Sequence, residues 1–399
     1  MIGDILFWLG LIVAAGIGFA YFRDLGDVSQ MILRVKRENM IRFIRNEYRL
    51  LAIGLGATVV MAAAHFGLNG GPTWLFWTAS VVLAILYGFP YVWVHLGLRN
   101  QIDSARFYNI EEAQKYVSPS SSVLVIEKNG VARAHSDHAL LRPHLAGNNE
   151  GLDGENVVMT YCAMANLGLG YTPEIEGEEL DLEVLAQHGN NLILRDNNTG
   201  EPIQHIYGFR ERDGKTGPAM KPWPTFRMSF RGFRKAYPDG KVFLNKPSSN
   251  PLLRLFDMVT EMAFSLGIAR QHREERPVMD NMTHEDKRLP NKTYVWGVNI
   301  GDDAVCYTQD FLVENGNLVN AEVGSRKIVV AWDPIYESVG AYYNDCDAPV
   351  TKIDFFGNSD QGQLSRVETL KSGMFWHVWV EFFQHTDINR MDHAVDLAS

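Results

Sequence analysis

Ile5-Leu-Phe-Trp-Leu-Gly-Leu-Ile-Val-Ala-Ala-Gly-Ile-Gly-Phe-Ala-Tyr-Phe22 runs for 18 residues without a charge. At about 1.5 Å per residue, a helix of that length nearly crosses a hydrocarbon layer roughly 30 Å thick. Two more uncharged runs follow, Leu50 to Leu68 and Trp74 to Leu98. They predict a membrane-anchored α+β chain. Its transmembrane region is 1–99, with spans at about 5–22, 50–68 and 74–98, and a soluble region follows. Only Met-Ile-Gly-Asp precedes Ile5, without a basic cluster, so no cleaved signal peptide is expected.

Of the 399 residues, 46% are hydrophobic and 21% charged, which excludes a disordered or fibrous chain. The first hundred residues carry 8 Lys and Arg against 5 Asp and Glu, leaving −13 for the rest of a chain whose total is −10. A field of that sign repels polyanions, so no nucleic-acid partner is expected. The lipid bilayer is the partner the apolar runs imply.

Arg23, Arg34, Lys36, Arg37, Arg42, Arg45 and Arg49 lie between the first two runs. Basic loops stay on the cytoplasmic side, so the amino terminus is expected outside and the large soluble region in the cytoplasm. Asn69-Gly-Gly-Pro-Thr73 reads as a tight hairpin between the second and third spans. Met31, Ile32, Val35, Met40, Ile41, Phe43 and Ile44 interleave with the basic residues at helical spacing, which suits either a helix in the headgroup layer or a solvated connector. His65 and His95 lie in or at the end of spans with no companion carboxylate in either, and a structural or interfacial role is expected of both.

From Asn100 onward short β-type runs dominate: Ser122–Ile126, Asn156–Tyr161, Asn191–Leu194, Lys241–Leu244, Thr293–Val298 and Arg326–Trp332, separated by Gly, Asn, Asp and Pro. Helices are predicted at Glu111–Val117, Pro251–Ile268 and Gly373–Gln384. The second carries Leu252, Leu255, Phe256, Val259, Met262, Ala263 and Leu266 on one stripe, read as core. An internal repeat is also legible. Val123–Ser136 resembles Val295–Thr308, Asn156–Cys162 resembles Lys327–Asp333, and Thr225–Tyr237 resembles Gly373–Phe383. The soluble part is therefore read as mainly β, internally duplicated and two-lobed: a first lobe at 100–250, a bridging helix and linker at 251–279, and a second lobe at 280–399.

Arg133-Ala-His-Ser136, Thr160-Tyr-Cys-Ala-Met-Ala165, Asp196-Asn-Asn-Thr-Gly-Glu-Pro-Ile-Gln204, Asp286–Gly297 and Phe375–Phe383 together resemble, in order, the segments of the prokaryotic family called domain of unknown function 3179. The resemblance covers nearly all of 107–388 and none of the membrane helices. It implies no settled activity. Members of that family carry a Cys-x-x-Cys pair where this chain has Cys162 and Ala165, and a His where it has Pro143, with His144 one residue later. Many members look exported, which opposes the charge-based topology.

A paired cysteine implies a metal or redox role. Here one thiolate remains, with Met164 as a thioether, His144 and His205 as imidazoles, and such a set would suit copper as Cu(I) better than zinc. The alternative is that Cys162 is a small buried hydrophobe, among Val157 and Met159. His135-Ser-Asp-His138 reads as an exposed turn. Cys162, Cys306 and Cys346 form no close pair and no disulfide framework. No phosphate loop or dinucleotide fingerprint appears. Three functions remain: a membrane-tethered binding module holding a soft metal ion or small ligand near Cys162 or between the lobes, a non-catalytic accessory subunit of a membrane complex, and a cysteine-dependent enzyme with Cys162 as nucleophile.

Overall fold

A computed structural model describes residues 2–30, 32–68, 73–98, 100–147, 151–279, 281–346 and 348–392. The hairpin residues 69–72, Met31 and the boundary residue Arg99 lie outside the described residues. Three helices, Ile2–Leu25, Arg37–Leu68 and Trp74–Gly97, are long and apolar enough to cross a membrane. Pro90 removes one amide from the ladder of the third, whose last stretch, Val92–Gly97, widens into a π-helix. Close approach of the three helices rests on small residues. Gly10 faces the backbone of Ala57 and Met61, while Tyr87 donates its hydroxyl to Ala14 O at 2.7 Å.

The basic connection is shorter than its sequence suggests, because the second helix begins at Arg37. Its first turns do not lie in the headgroup layer as a separate element. Val35, Met40, Ile41, Phe43 and Ile44 are buried with Tyr21 and Leu25 against Leu185, Ala186 and Ile193 of the soluble region. Protein thus covers five of the seven apolar residues read on that face, whereas Ile32 is 83% exposed and Met31 lies outside the described residues.

Behind the membrane helices the chain is rich in strands. One five-stranded sheet has the order Thr225–Ser229, Ser122–Lys128, Val131–Ser136, Lys241–Phe243, Phe107–Asn109. Nearer the carboxyl end, a four-stranded sheet runs Lys371–Phe375, Tyr294–Ile300, Asp303–Tyr307, Asp387–Ile388. In each, the first two pairings are antiparallel, and the next is parallel, Lys241–Phe243 on Val131–Ser136 and Asp387–Ile388 on Asp303–Tyr307. A seven-residue helix makes each parallel crossover, Phe230–Ala236 in one and Trp376–Phe382 in the other. Gly373 to Phe375, expected to be helical, is strand, held by antiparallel pairing of Lys371–Phe375 on Tyr294–Ile300, and the helix starts only at Trp376.

Antiparallel meanders fill the remainder. Leu145–Gly147, Val158–Cys162 and Leu167–Tyr171 form one; Leu318–Val323, Arg326–Asp333 and Ser338–Tyr343 form another. Four residues connect Cys162 to Leu167 and four connect Asp333 to Ser338, and each turn closes on a residue with positive φ, Asn166 at 52° and Glu337 at 54°. Across the molecule, Thr225–Ser229 packs on Ser338–Tyr343, while Lys371–Phe375 packs on Leu167–Tyr171.

The helix expected at 251–268 extends over Pro251–Arg273, with Asn250 capping it from Leu252 N and Pro251 in its first turn. Its orientation differs from the expectation. The residues it buries are Asp257, Thr260 and Phe264, and the Leu252, Leu255, Val259, Met262 and Leu266 stripe faces outward. The inward turn is fixed by charge, because buried Arg142 pairs with Asp257 and also donates to Gly97 O at 2.7 Å. Only Ile110–Ala113 of the expected 111–117 helix is α-helical.

Candidate functional site

Cys162 ends the strand Val158–Cys162 and is inaccessible to solvent. Its thiol packs with Leu145, Val158, Ala165 and Leu167, and donates toward Asn190 O at 3.5 Å. Val157 and Met159, expected beside it, belong to the opposite face of the strand, since alternate residues point to opposite faces. Thr160, on the same face as Cys162, donates to Leu169 O at 2.8 Å and therefore accepts at 2.6 Å from Nε2 of His205. His205 is thus the Nε2–H tautomer, and burial pushes its pKa down to about 3. His144 donates from Nδ1 to Leu140 O at 3.0 Å. Among the described residues, no group of three or more His, Cys, Asp or Glu side chains is placed to hold a metal ion. Met164 packs half-buried at the margin of the same core.

The convergence the structure does contain lies between the two sets of strands. A cavity of about 530 Å³ is lined by Asp137, His138, Tyr161, Asn166 and Arg227, by His272 from the helix Pro251–Arg273, and by Tyr294, Trp296 and Gly373. Of His135-Ser-Asp-His138, read as an exposed turn, Asp137 and His138 do form a turn with His138 exposed, whereas His135 and Ser136 are buried at the end of a strand. His135 is buried between Phe107 and Phe243, Asp137 binds Arg227, and His138 lines the cavity.

Arg227 organises this space. Its guanidinium pairs with Asp137, donates to Ser122 Oγ at 2.6 Å and to Asn166 O at 2.9 Å, and reaches Ser372 O at 3.2 Å. Burial opposes its charge, and the Asp137 carboxylate overcomes that and holds its pKa above the ordinary arginine value. The close approach depends on Gly373, whose φ of 70° disfavours a side chain and whose added Cβ would lie 3.0 Å from Arg227 Cδ and Nε. Asn166 links the lobes, accepting from the Tyr161 hydroxyl at 3.2 Å and donating to Gly373 O at 2.7 Å. Burial raises the Tyr161 pKa well above its ordinary value, so this phenol stays protonated.

Polar atoms of three lining residues, Asp137, Trp296 and His272, set the chemistry of the wall. Among the described residues, Asp137 Oδ1 and Trp296 Nε1 are buried with no hydrogen-bond partner. His272 donates from Nε2 to Ala163 O at 3.0 Å, and burial lowers its pKa, so the neutral ring presents Nδ1 as an acceptor. Leu141, Ile268, Ala269 and the aromatic rings make the rest of the wall apolar. Lining of this kind, apolar with a few placed polar groups, is that of a small-molecule site. No single stretch of sequence carries it, because Ser122, Asp137, Asn166, Arg227 and Gly373 meet only through long-range strand pairing.

Fold and site define a strand-rich protein with three helices long and apolar enough to cross a membrane and a cavity lined by residues far apart in the chain. The chain belongs to the family described as "Protein of unknown function (DUF3179)", whose model matches residues 100–386. No curated protein and no solved structure matches it.

Proposed function

We propose that this chain is a membrane-tethered binding module whose interlobe cavity takes a small, mostly apolar molecule bearing a hydroxyl or amine. The observation that carries the reading is that two residues lining the cavity, Asp137 and Trp296, each hold a buried polar atom with no hydrogen-bond partner, Oδ1 and Nε1. A buried polar group without a partner costs about 1–3 kcal/mol, and a guest that donates to one and accepts from the other removes that cost. Arg227 neutralises Asp137 from the far side, so the guest need carry no net charge. The cavity is a few hundred Å³ in volume, the usual range for such sites.

The soft-metal form of this reading, with copper held by Cys162, Met164, His144 and His205, has less behind it. Ala165 stands where a second thiolate is wanted, and the Cys162 thiol already donates to a carbonyl. The cysteine-dependent enzyme also has less behind it, since the Cys162 thiol faces Gln187 Oε1 at 3.9 Å and Asn190 O at 3.5 Å, neither of which is a base.

The two lobes are in this reading a divergent duplication, with the cavity at their pseudo-twofold junction. Matching sheet orders, crossover helices and turn lengths support this, and the match sets Arg227 opposite Gly373, each three residues ahead of its crossover helix. Divergence at that pair put a guanidinium on one side and made room for it on the other. The cytoplasmic placement rests on the basic residues at 23–49.

Filling the cavity tests the function. Native mass spectrometry of the full chain released from detergent should show a bound small molecule in the parent protein and none in Ala269→Trp. Equal occupancy in the two would contradict the reading.

A further inference from the structure

The exposed stripe on the bridging helix is the strongest feature the binding reading leaves unused. Leu252, Met262 and Leu266 expose 78%, 57% and 67% of their surface, and Leu255, Met258 and Val259 lie exposed beside them. A single exposed leucine needs no explanation, but a continuous apolar face on a 23-residue helix does. Its position says what covers it. Phe264 stacks on Trp93 of the third membrane helix with ring centroids 4.9 Å apart, and Thr260 lies against Gly97. Trp93 and Gly97 belong to the last turns of a segment that is apolar enough to span a membrane, so the bridging helix is held at the level where hydrocarbon gives way to headgroups.

Charge agrees with that placement. Within Pro251–Arg273 the acidic residues turn inward, Asp257 onto Arg142 and Glu261 onto Asn245 at 3.1 Å. The charged side chains exposed on this helix are Arg254, Arg270 and Arg273, of which Arg270 pairs with Glu274 just past its end at 2.6 Å. An apolar stripe bordered by arginines is the pattern of a helix lying in a membrane interface, with its apolar face sunk to the acyl boundary and its cations among anionic headgroups.

We propose that Pro251–Arg273 is an interfacial helix that docks on the same bilayer its three preceding helices cross. The soluble region is then fixed to the membrane at two places, and the helix that provides Ser265, Ile268, Ala269 and His272 to the cavity wall has its other face in lipid.

The test uses the full chain reconstituted in phosphatidylcholine vesicles containing phosphatidylglycerol, in a Cys346→Ser background that leaves only the two fully buried cysteines. An environment-sensitive fluorophore is attached at Met262→Cys, at Leu255→Cys as a second site on the stripe, or at exposed Lys352→Cys on the second lobe as reference. Expected is blue-shifted emission at 262 and 255 relative to 352, and loss of most of that emission when the vesicles carry lipids brominated near the headgroup end of the acyl chain. Emission at 262 and 255 equal to that at 352 would overturn the proposal. So would blue-shifted emission that brominated lipid fails to quench, the result given if a second copy of the chain covers the stripe.

Discussion

Arg195 of the soluble region reaches Glu47 on the second membrane helix, and both side chains are almost wholly buried. The contact is one side of a ring of charges. Glu47 also meets His95 Nε2 at 3.0 Å, His95 Nδ1 meets Glu183 at 2.7 Å, and Glu183 returns to Arg195 at 2.8 Å. Arg195 further donates to the Tyr48 hydroxyl at 2.8 Å. Three of these residues sit near the membrane boundary, so the ring clamps the soluble region onto the helix bundle. His95, unpaired by any carboxylate of its own span, finds two supplied from elsewhere.

Removing one member leaves a buried charge unmatched, which costs about 3–5 kcal/mol. Glu47→Ala and Arg195→Met should therefore each lower the thermal midpoint of the detergent-solubilised protein strongly, and the double change should lower it by much less than the sum of the two. Additive effects would show that the two residues act independently.

The membrane spans, the strand positions and the family motifs were legible in the chain because each depends on local composition and short periodicity. The ring was not, since Glu47 and Arg195 lie in segments whose approach no local pattern encodes. Periodicity likewise identified the apolar stripe at 252–266 but assigned it to the core. A 3.6-residue period states which side chains share a face, not whether protein or lipid meets that face. The cavity was not legible as a site: Cys162, Met164, His144 and His205 are not in its lining, Tyr161 and Asn166 only lie beside the cysteine segment, and Arg227 and Gly373 carry meaning only once their strands are adjacent.

Acid should destabilise the soluble region. Burial pushes His135 and His205 down to about 3 and His377 down to about 4. Each folded-state pKa lies below the unfolded value of about 6.5, so the unfolded chain binds more protons as pH falls. The stability these rings contribute is complete above about pH 6.5 and is lost between there and pH 3–4. The limiting slope is about 1.4 kcal/mol per pH unit for each ring. Urea unfolding at pH 7.5 and pH 5 measures it, with equal midpoints as the contrary result.

Gly373→Ala should cost about 1–2 kcal/mol, because the residue has positive φ and the new methyl presses on Arg227. Thermal unfolding reads the loss. An unchanged midpoint would mean that Arg227 is not tightly held.

Cys162→Ser should leave the metal content of the purified full chain unchanged and lower stability by about 1–3 kcal/mol, as a poorly satisfied hydroxyl replaces a thiol in an apolar core. Elemental analysis showing copper in the parent and none in the variant would restore the metal reading.

Overlay of 121–165 on 293–336 in an experimental structure should pair Tyr161 with Trp332 and Cys162 with Asp333. A register in which the turns after Cys162 and Asp333 fail to coincide would remove the case for duplication.

The central claim is that the cavity between the lobes holds a small molecule, and density there decides it most directly. An experimental structure of the full chain taken from its native membrane should show density, unaccounted for by protein, within hydrogen-bond distance of Asp137 Oδ1 and Trp296 Nε1. A cavity filled only by water, or closed by Trp296 and Ile268 packing together, would contradict it.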